Sequence, residues 1–225
     1  MSEDAEVIKV VLVGEAGVGK TCIIQRFCEN KFTPNTISTN GAANAAQILK
    51  VDDYIFNLDI WDTAGQEIYR SLNRIFYKNS RIAILVYDIT NEKSFEEVKE
   101  YWYEQVIKAN GNNIIIGIVG NKCDLYNKEK VEESTAKEWA ESHGCIFQLT
   151  SAFRGTGIKD IFNSVCARLV EIKTNRKNVA NTKHYINLFI IIYFICGLNE
   201  YSLIRLPIAP TIDHLVSFIR WNPTY

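Results

Sequence analysis

Two short segments of this chain have the residue types and spacing to do chemistry. Residues 121–124 read Asn121-Lys122-Cys123-Asp124, about a hundred residues after a glycine-rich run, Gly14-Glu15-Ala16-Gly17-Val18-Gly19-Lys20-Thr21. A carboxylate at Asp124 can accept two hydrogen bonds from the N1 and exocyclic N2 donors of guanine. Adenine offers no such donor pair on that edge, so it would leave the carboxylate partly unsatisfied. The glycine-rich run fits GxxxxGK[ST], in which backbone amides and a helix N-terminus converge on phosphates. Lys20 is expected to reach the β- and γ-phosphates and the Thr21 hydroxyl to ligate Mg²⁺, with Cys22 the next residue of the site. A small residue at Ala16 leaves room beside the γ-phosphate for a catalytic group. Together the two segments predict a guanine nucleotide as ligand.

Further residues complete that expectation. Asp62-Thr63-Ala64-Gly65-Gln66-Glu67 follows an apolar run, so Asp62 ends a strand and is placed to hold Mg²⁺, through a water. The Gly65 N–H can bond a γ-phosphate oxygen, and Gln66 is suited to orient an attacking water. On the base side, Asn121 can tie the base N7 to the phosphate loop, and Lys122 can lay its aliphatic stem over ribose and base. Ser151 and Ala152 follow another apolar run, where the Ala152 N–H can meet guanine O6, and Phe32 can pack edge-on against the base. Singly each has a blander reading, since a tetrapeptide recurs by chance and a Phe is most often core. In this order, at strand ends, they outweigh it.

These residues need a scaffold, and the pattern supplies one. Residues 7–13 read as a buried strand opening onto the glycine loop, and 20–29 as the helix after it. Residues 47–51 and 54–61 flank Asp52-Asp53 as a hairpin. Residues 82–87 and 114–119 are β-branched runs suited to central parallel strands. Helical spacing covers 91–108, 132–142 and 157–173, with a short strand at 145–149. This alternation predicts an α/β, doubly wound fold of mostly parallel strands with one antiparallel edge strand, its ligand loops at the strands' carboxyl ends.

Composition narrows the class. Charged residues are 23% of the 225, apolar ones 47%, and the net charge of −1 argues against general nucleic-acid binding. Six cysteines without a CxxC pair point to free thiols in a reducing compartment. The acidic start has no apolar leader, and Ser2 removes a myristoylation site.

From residue 6 to about 174 the chain resembles the Ras-superfamily small GTPases, and more closely their Rab branch. The likeness rests on the segments above together with Tyr69-Arg70-Ser71-Leu72 and Leu85-Val86-Tyr87-Asp88-Ile89-Thr90. It implies the P-loop NTPase fold with a six-stranded sheet, and a GTP-hydrolysing switch of vesicle transport on the cytosolic face of an endosome-like membrane. It also implies exchange factors, activating proteins and effectors as partners. Ungapped counting puts Thr39 at the family's switch I threonine, which binds Mg²⁺ and γ-phosphate. Lys20 and Gln66 become the catalytic pair. With no arginine finger evident in the phosphate loop, unassisted turnover is expected near about 10⁻⁴ s⁻¹.

Departures fall where partners dock. Asn44 stands where the family has a Phe, leaving Trp61 and Phe76 of an apolar triad, and an unpaired amide there would carry a penalty. Ile68 replaces a usual Arg, and Phe153 the Lys that usually follows Ser-Ala. A slowly cycling nucleotide-bound scaffold with a divergent effector surface is therefore the alternative reading.

Residues 175–225 are expected to form an atypical tail, set apart from a GTPase domain over 6–174. Its apolar run from Tyr185 to Leu198 falls short of the roughly 20 residues that span a bilayer. The family's prenylated terminal cysteines are absent. The segment reads as an unconventional membrane anchor, as an extension packed on the domain or a partner, or as sequence foreign to the working protein. Disorder is expected where nothing covers it.

Overall fold

In the computed structural model, residues 5–34, 39, 42–63 and 76–196 are described, with 112, 180–181 and 184–196 given as backbone. The chain divides into two compact units, Met1–Ile172 and Lys173–Tyr225.

The first unit is built on strands β1 (Glu6–Val13), β2 (Ala42–Val51), β3 (Tyr54–Thr63), β4 (Ile82–Asp88), β5 (Ile115–Asn121) and β6 (Ile146–Thr150). They form one sheet in the order β2-β3-β1-β4-β5-β6, in which only the β2–β3 pair is antiparallel. The expected doubly wound fold is therefore present. β1 pairs β3 on one side and β4 on the other, so the chain order reverses at β1. Such a reversal opens a crevice at the strand's carboxyl end, and the glycine loop occupies that place.

Strand alternation sorts side chains into two cores. Ile8, Val10 and Leu12 of β1 join Phe56, Leu58 and Ile60 of β3 under helix α1 (Lys20–Glu29) and the first turns of α5 (Ile158–Cys196). The opposite face buries Val11, Val13, Leu85 and Tyr87 against α2 (Glu92–Glu97), α3 (Tyr103–Asn110) and α4 (Glu133–Ser142). β4 and β5 are covered on both faces and buried at every position, which is why they read as continuous apolar runs. A π turn, Val98–Trp102, joins α2 to α3 and turns Val98 and Trp102 fully inward.

Two sequence expectations need correction here. The hairpin strands extend to Ala42 and Thr63, because small alanines on β2 hid a strand that pairing supports. The last helix does not stop at residue 173; α5 runs on to Cys196. No Gly or Pro interrupts residues 158–196, and Gly197 is the first breaker after Gly157, so nothing local ends the helix sooner. In the second unit the described backbone is this helix, along which Arg176, Val179 and Lys183 are exposed. Among the described residues no helix is long and apolar enough to cross a membrane.

Phe162 is fully buried and stacks on Phe27 with ring centroids 3.7 Å apart, linking α5 to α1. Phe162→Ala is expected to lower the unfolding free energy by about 3–5 kcal/mol in urea titration. A loss of under about 1 kcal/mol would show that this stack does not hold α1 in place.

Candidate functional site

The glycine loop turns because its glycines permit what no other residue would. Gly14 has φ +146°, and a Cβ on it would lie 2.2 Å from the Val86 carbonyl oxygen. Gly19 has φ +101°, and a Cβ there would strike the Asn121 amide at 2.4 Å. Backbone therefore approaches β4 and Asn121 at distances only hydrogen allows. Between them Ala16 and Gly17 are exposed, Glu15 is half-buried and Val18 is buried as the loop's anchor.

Lys20 opens α1 and folds back under the loop, donating from Nζ to the Gly14 carbonyl at 2.8 Å and the Glu15 carbonyl at 2.9 Å. Burial pushes its ammonium down to about 8, against the carboxylates of Asp62 and Glu15, which hold it up. A cation kept so far from water is poised for anionic ligand oxygens.

Beside it three side-chain oxygens converge. Thr21 Oγ1 donates to Asp62 Oδ2 at 2.6 Å, Thr39 Oγ1 donates to the same atom at 3.1 Å, and the two hydroxyls are 3.1 Å apart. Asp62 Oδ1 is buried with no hydrogen-bond partner among the described residues. Burial raises the Asp62 carboxyl, while Thr21, Lys20 and Thr39 oppose the shift. A hard cation with oxygen ligands fits this donor set, because it would meet the orphaned lone pairs and offset the desolvation. Thr39, from between α1 and β2, thus stands with Thr21 of α1 and Asp62 of β3.

The base-side residues gather at the ends of β5 and β6. Asn121 is buried; its Nδ2 donates to the Val18 carbonyl at 2.8 Å, and its Oδ1 accepts from Thr150 Oγ1 at 3.1 Å and, weakly, from the Ala152 N–H at 3.3 Å. Lys122 sits in the left-handed region at φ 66° and bonds the Gly17 carbonyl and Asp88, both within 2.8 Å. Asp124 accepts from Ser151 Oγ, and its carboxylate is half-exposed, with capacity for further donors. Phe32 packs edge-on to Phe153 at 5.4 Å. Cys22 is partly buried and packs against the core that α1 covers. Gly65 and Gln66 lie outside the described residues.

Sequence reasoning missed two participants. Asp88, at the end of a buried strand, was detectable as a carboxylate where an apolar run stops. Arg26, which reaches the Ala152 and Phe153 carbonyls from α1, carries no local signal at all.

The partner-facing surface also differs from expectation. The Asn44 amide is paired: its Nδ2 donates to Asp59, whose other oxygen accepts from Trp61 Nε1 at 2.8 Å. Strand register places Asn44 opposite Trp61, which brings all three side chains to one face. The penalty for an unpaired amide does not arise. Lys9 Nζ lies 4.7 Å from the Trp61 ring centre, and Phe76 is tilted against that ring at 5.7 Å.

Comparison with known proteins agrees with this geometry. A model of the Ras family matches residues 9–171. The chain is 45% identical over 163 residues to the Ras-related protein Rab-21 of Homo sapiens, covering 72% of each. It is 42% identical to the putative ras-related protein Rab-5B of Dictyostelium discoideum over 163 residues, covering 72% of this chain and 75% of that one. Over 174 residues it is 39% identical to the Ras-related protein Rab11A of Lotus japonicus, covering 77% and 76%. With a six-stranded sheet whose reversal point carries the phosphate loop, the chain belongs to the Ras family of small GTPases, in its Rab branch: a guanine-nucleotide-binding, GTP-hydrolysing switch of vesicle trafficking.

Proposed function

We propose that this chain runs its GTP cycle with Lys20 and Gln66 as catalytic residues and with Thr21, Thr39 and Asp62 holding Mg²⁺. The observation carrying this reading is the convergence of those three side chains beside a buried ammonium, with one Asp62 oxygen unpartnered among the described residues. Bound there, Mg²⁺ would neutralise phosphate charge that develops as the γ-phosphoryl departs. The chain's own groups do the remainder. Amides of residues 14–19 and the start of α1 cradle the phosphates. Lys20 leaves its two loop carbonyls in part to face the β- and γ-oxygens, where its charge counts most in the transition state. Gln66 orients the water, and the Gly65 N–H reports the γ-phosphate, roles that rest on motif position. Asp124 and the Ala152 N–H read the guanine, while Asn121 and Lys122 hold base loop and phosphate loop in one register.

Thr39 reaches Asp62 from a segment far from it in sequence, which supports a switch over a static scaffold. Exchange factors, activating proteins and effectors would act through the two switch segments. The Asn44–Asp59–Trp61 network supports effectors that bring polar groups to a place where an apolar patch is usual. Its Rab relatives support work on the cytosolic face of endomembranes, of endosomal type, with membrane association through the basic and apolar residues beyond Lys173. We assign the GTPase domain to residues 6–174 and treat 175–225 as a separate tail.

Asp124→Asn replaces one acceptor with a donor, which suits xanthine, whose C2 carries oxygen. Nucleotide preference should move from GTP toward XTP by several kcal/mol in competition binding; unchanged GTP affinity would show that Asp124 does not read the base. Gln66→Leu should leave GDP and GTP affinities nearly unchanged while abolishing partner-stimulated hydrolysis in single-turnover assays, since its contact exists only in the transition state. Equal rates for parent and variant would remove Gln66 from catalysis. Truncation after Lys177 should give a folded domain that still binds GDP and no longer sediments with membranes. A truncated chain that cannot fold would make the tail part of the domain.

A further inference from the structure

Arg26 and Phe153 take no part in the cycle as described, yet both are built into the base loop. The Arg26 guanidinium is a rigid fork of donors. Its Nε donates to the Ala152 carbonyl at 2.8 Å and its Nη2 to the Phe153 carbonyl at 2.9 Å, so two consecutive peptide planes are fixed from one side chain. Its Nη1 donates to the Asn30 carbonyl at 2.9 Å, closing the end of α1, where Asn30 turns left-handed at φ 54°. The same helix begins at Lys20, so Arg26 is a strut between the phosphate end of the site and the base end. The Ala152 N–H sits on the peptide just before the two that Arg26 fixes. Among the described residues its hydrogen-bond partner is Asn121 Oδ1, at a long 3.3 Å that a ligand oxygen could displace.

Phe153 is 59% exposed, so core burial does not account for it. Its ring meets Phe32 edge to face, at 76° and 5.4 Å. Phe32 leaves the C-terminal end of α1, and Phe153 follows the residue whose N–H faces the base. Arg26 therefore holds the backbone, and Phe153 the ring, of one assembly around the base slot.

We propose that Arg26 is a positioning residue for the Ala152 N–H and that Phe153 braces Phe32, the two together setting how slowly guanine nucleotide leaves. The inference rests on the assignment of Ala152 and Phe32 to the base. Opening the slot requires the Phe32–Phe153 contact to part and the residue 152–153 peptides to tilt. Arg26 opposes the tilt through two charge-assisted bonds, and the ring pair opposes the parting.

The test uses the full chain loaded with a fluorescent GDP analogue and chased with excess GDP. Phe153→Ala should speed release about three- to tenfold, the range an edge-to-face pair supports. Phe153→Tyr should keep the parental rate. Arg26→Ala should speed release at least as much, and Arg26→Lys should not rescue it, because one ammonium nitrogen cannot stand in for three separately placed guanidinium nitrogens that reach the Ala152, Phe153 and Asn30 carbonyls. A second measurement separates positioning from general weakening: affinity for GDP against that for the diphosphate of 6-thioguanosine, which keeps the N1–H and N2 donors that face Asp124 and replaces O6 with a weakly accepting sulfur. The parent should discriminate between them, and Arg26→Ala should lose most of that ratio by weakening GDP alone. Arg26→Gln, a shorter side chain that keeps one planar NH2 donor near the position of Nε and lacks the fork, carries the same ratio test if the alanine variant does not fold. Parental release from Phe153→Ala, or an undiminished ratio in the Arg26 variants, would overturn the proposal. If the parent itself shows no preference for O6, the base assignment fails rather than the strut.

Discussion

Asn121 is the joint on which the site turns. It is a fully buried amide, and it uses donor and acceptor sides at once: one toward the Val18 carbonyl, the other toward Thr150 and Ala152. A buried amide left unsatisfied would cost about 1–3 kcal/mol, so its partners are fixed in register with it. Those partners belong to three separate stretches: the phosphate loop, the end of β6 and the loop beyond. Lys122 repeats the connection one residue later through Gly17 and Asp88. The loop of residues 14–19 and the loops after β5 and β6 are thereby tied to one another instead of being separate segments that must find each other.

The phosphate side is organised by an opposite principle, an imbalance left in place. Lys20 and Asp62 are both buried, each displaced in the direction that burial dictates for its charge. The ammonium leans on two carbonyls that a stronger anion can displace, and Asp62 retains an oxygen without a donor among the described residues. Desolvation already incurred in folding need not be incurred again on binding, which is the meaning of electrostatic preorganisation. Thr39 adds a second hydroxyl to the same Asp62 oxygen that Thr21 meets, so two segments of the chain share one carboxylate.

The family and the sheet were legible in the sequence because the GxxxxGK[ST] and Asn-Lys-x-Asp segments recur at fixed spacing, and the structure brings Lys20, Thr21, Asp62 and Asn121 to the strand ends where that spacing places them. Strands β4 and β5 were legible for a simpler reason, being buried on both faces. The β2 strand was only half seen: Ala42, Ala43, Ala45 and Ala46 have little strand preference, and pairing with β3 decides their conformation. The end of α5 was misjudged because composition changed where helical continuity did not. Arg26 was invisible, since its partners lie 126 and 127 residues away and are carbonyls, which any residue supplies. The pairing of Asn44 with Asp59 needed strand register, a cross-strand fact that one strand read alone does not contain.

The 2.4 Å approach of a would-be Gly19 Cβ to the Asn121 amide has a consequence for how damage in this molecule would present. A side chain at position 19 would press on Asn121, the buried amide that ties the glycine loop to the ends of β5 and β6. A lesion written in the glycine loop would therefore surface in the loops after β5 and β6, so that symptom and cause lie in different segments of the chain.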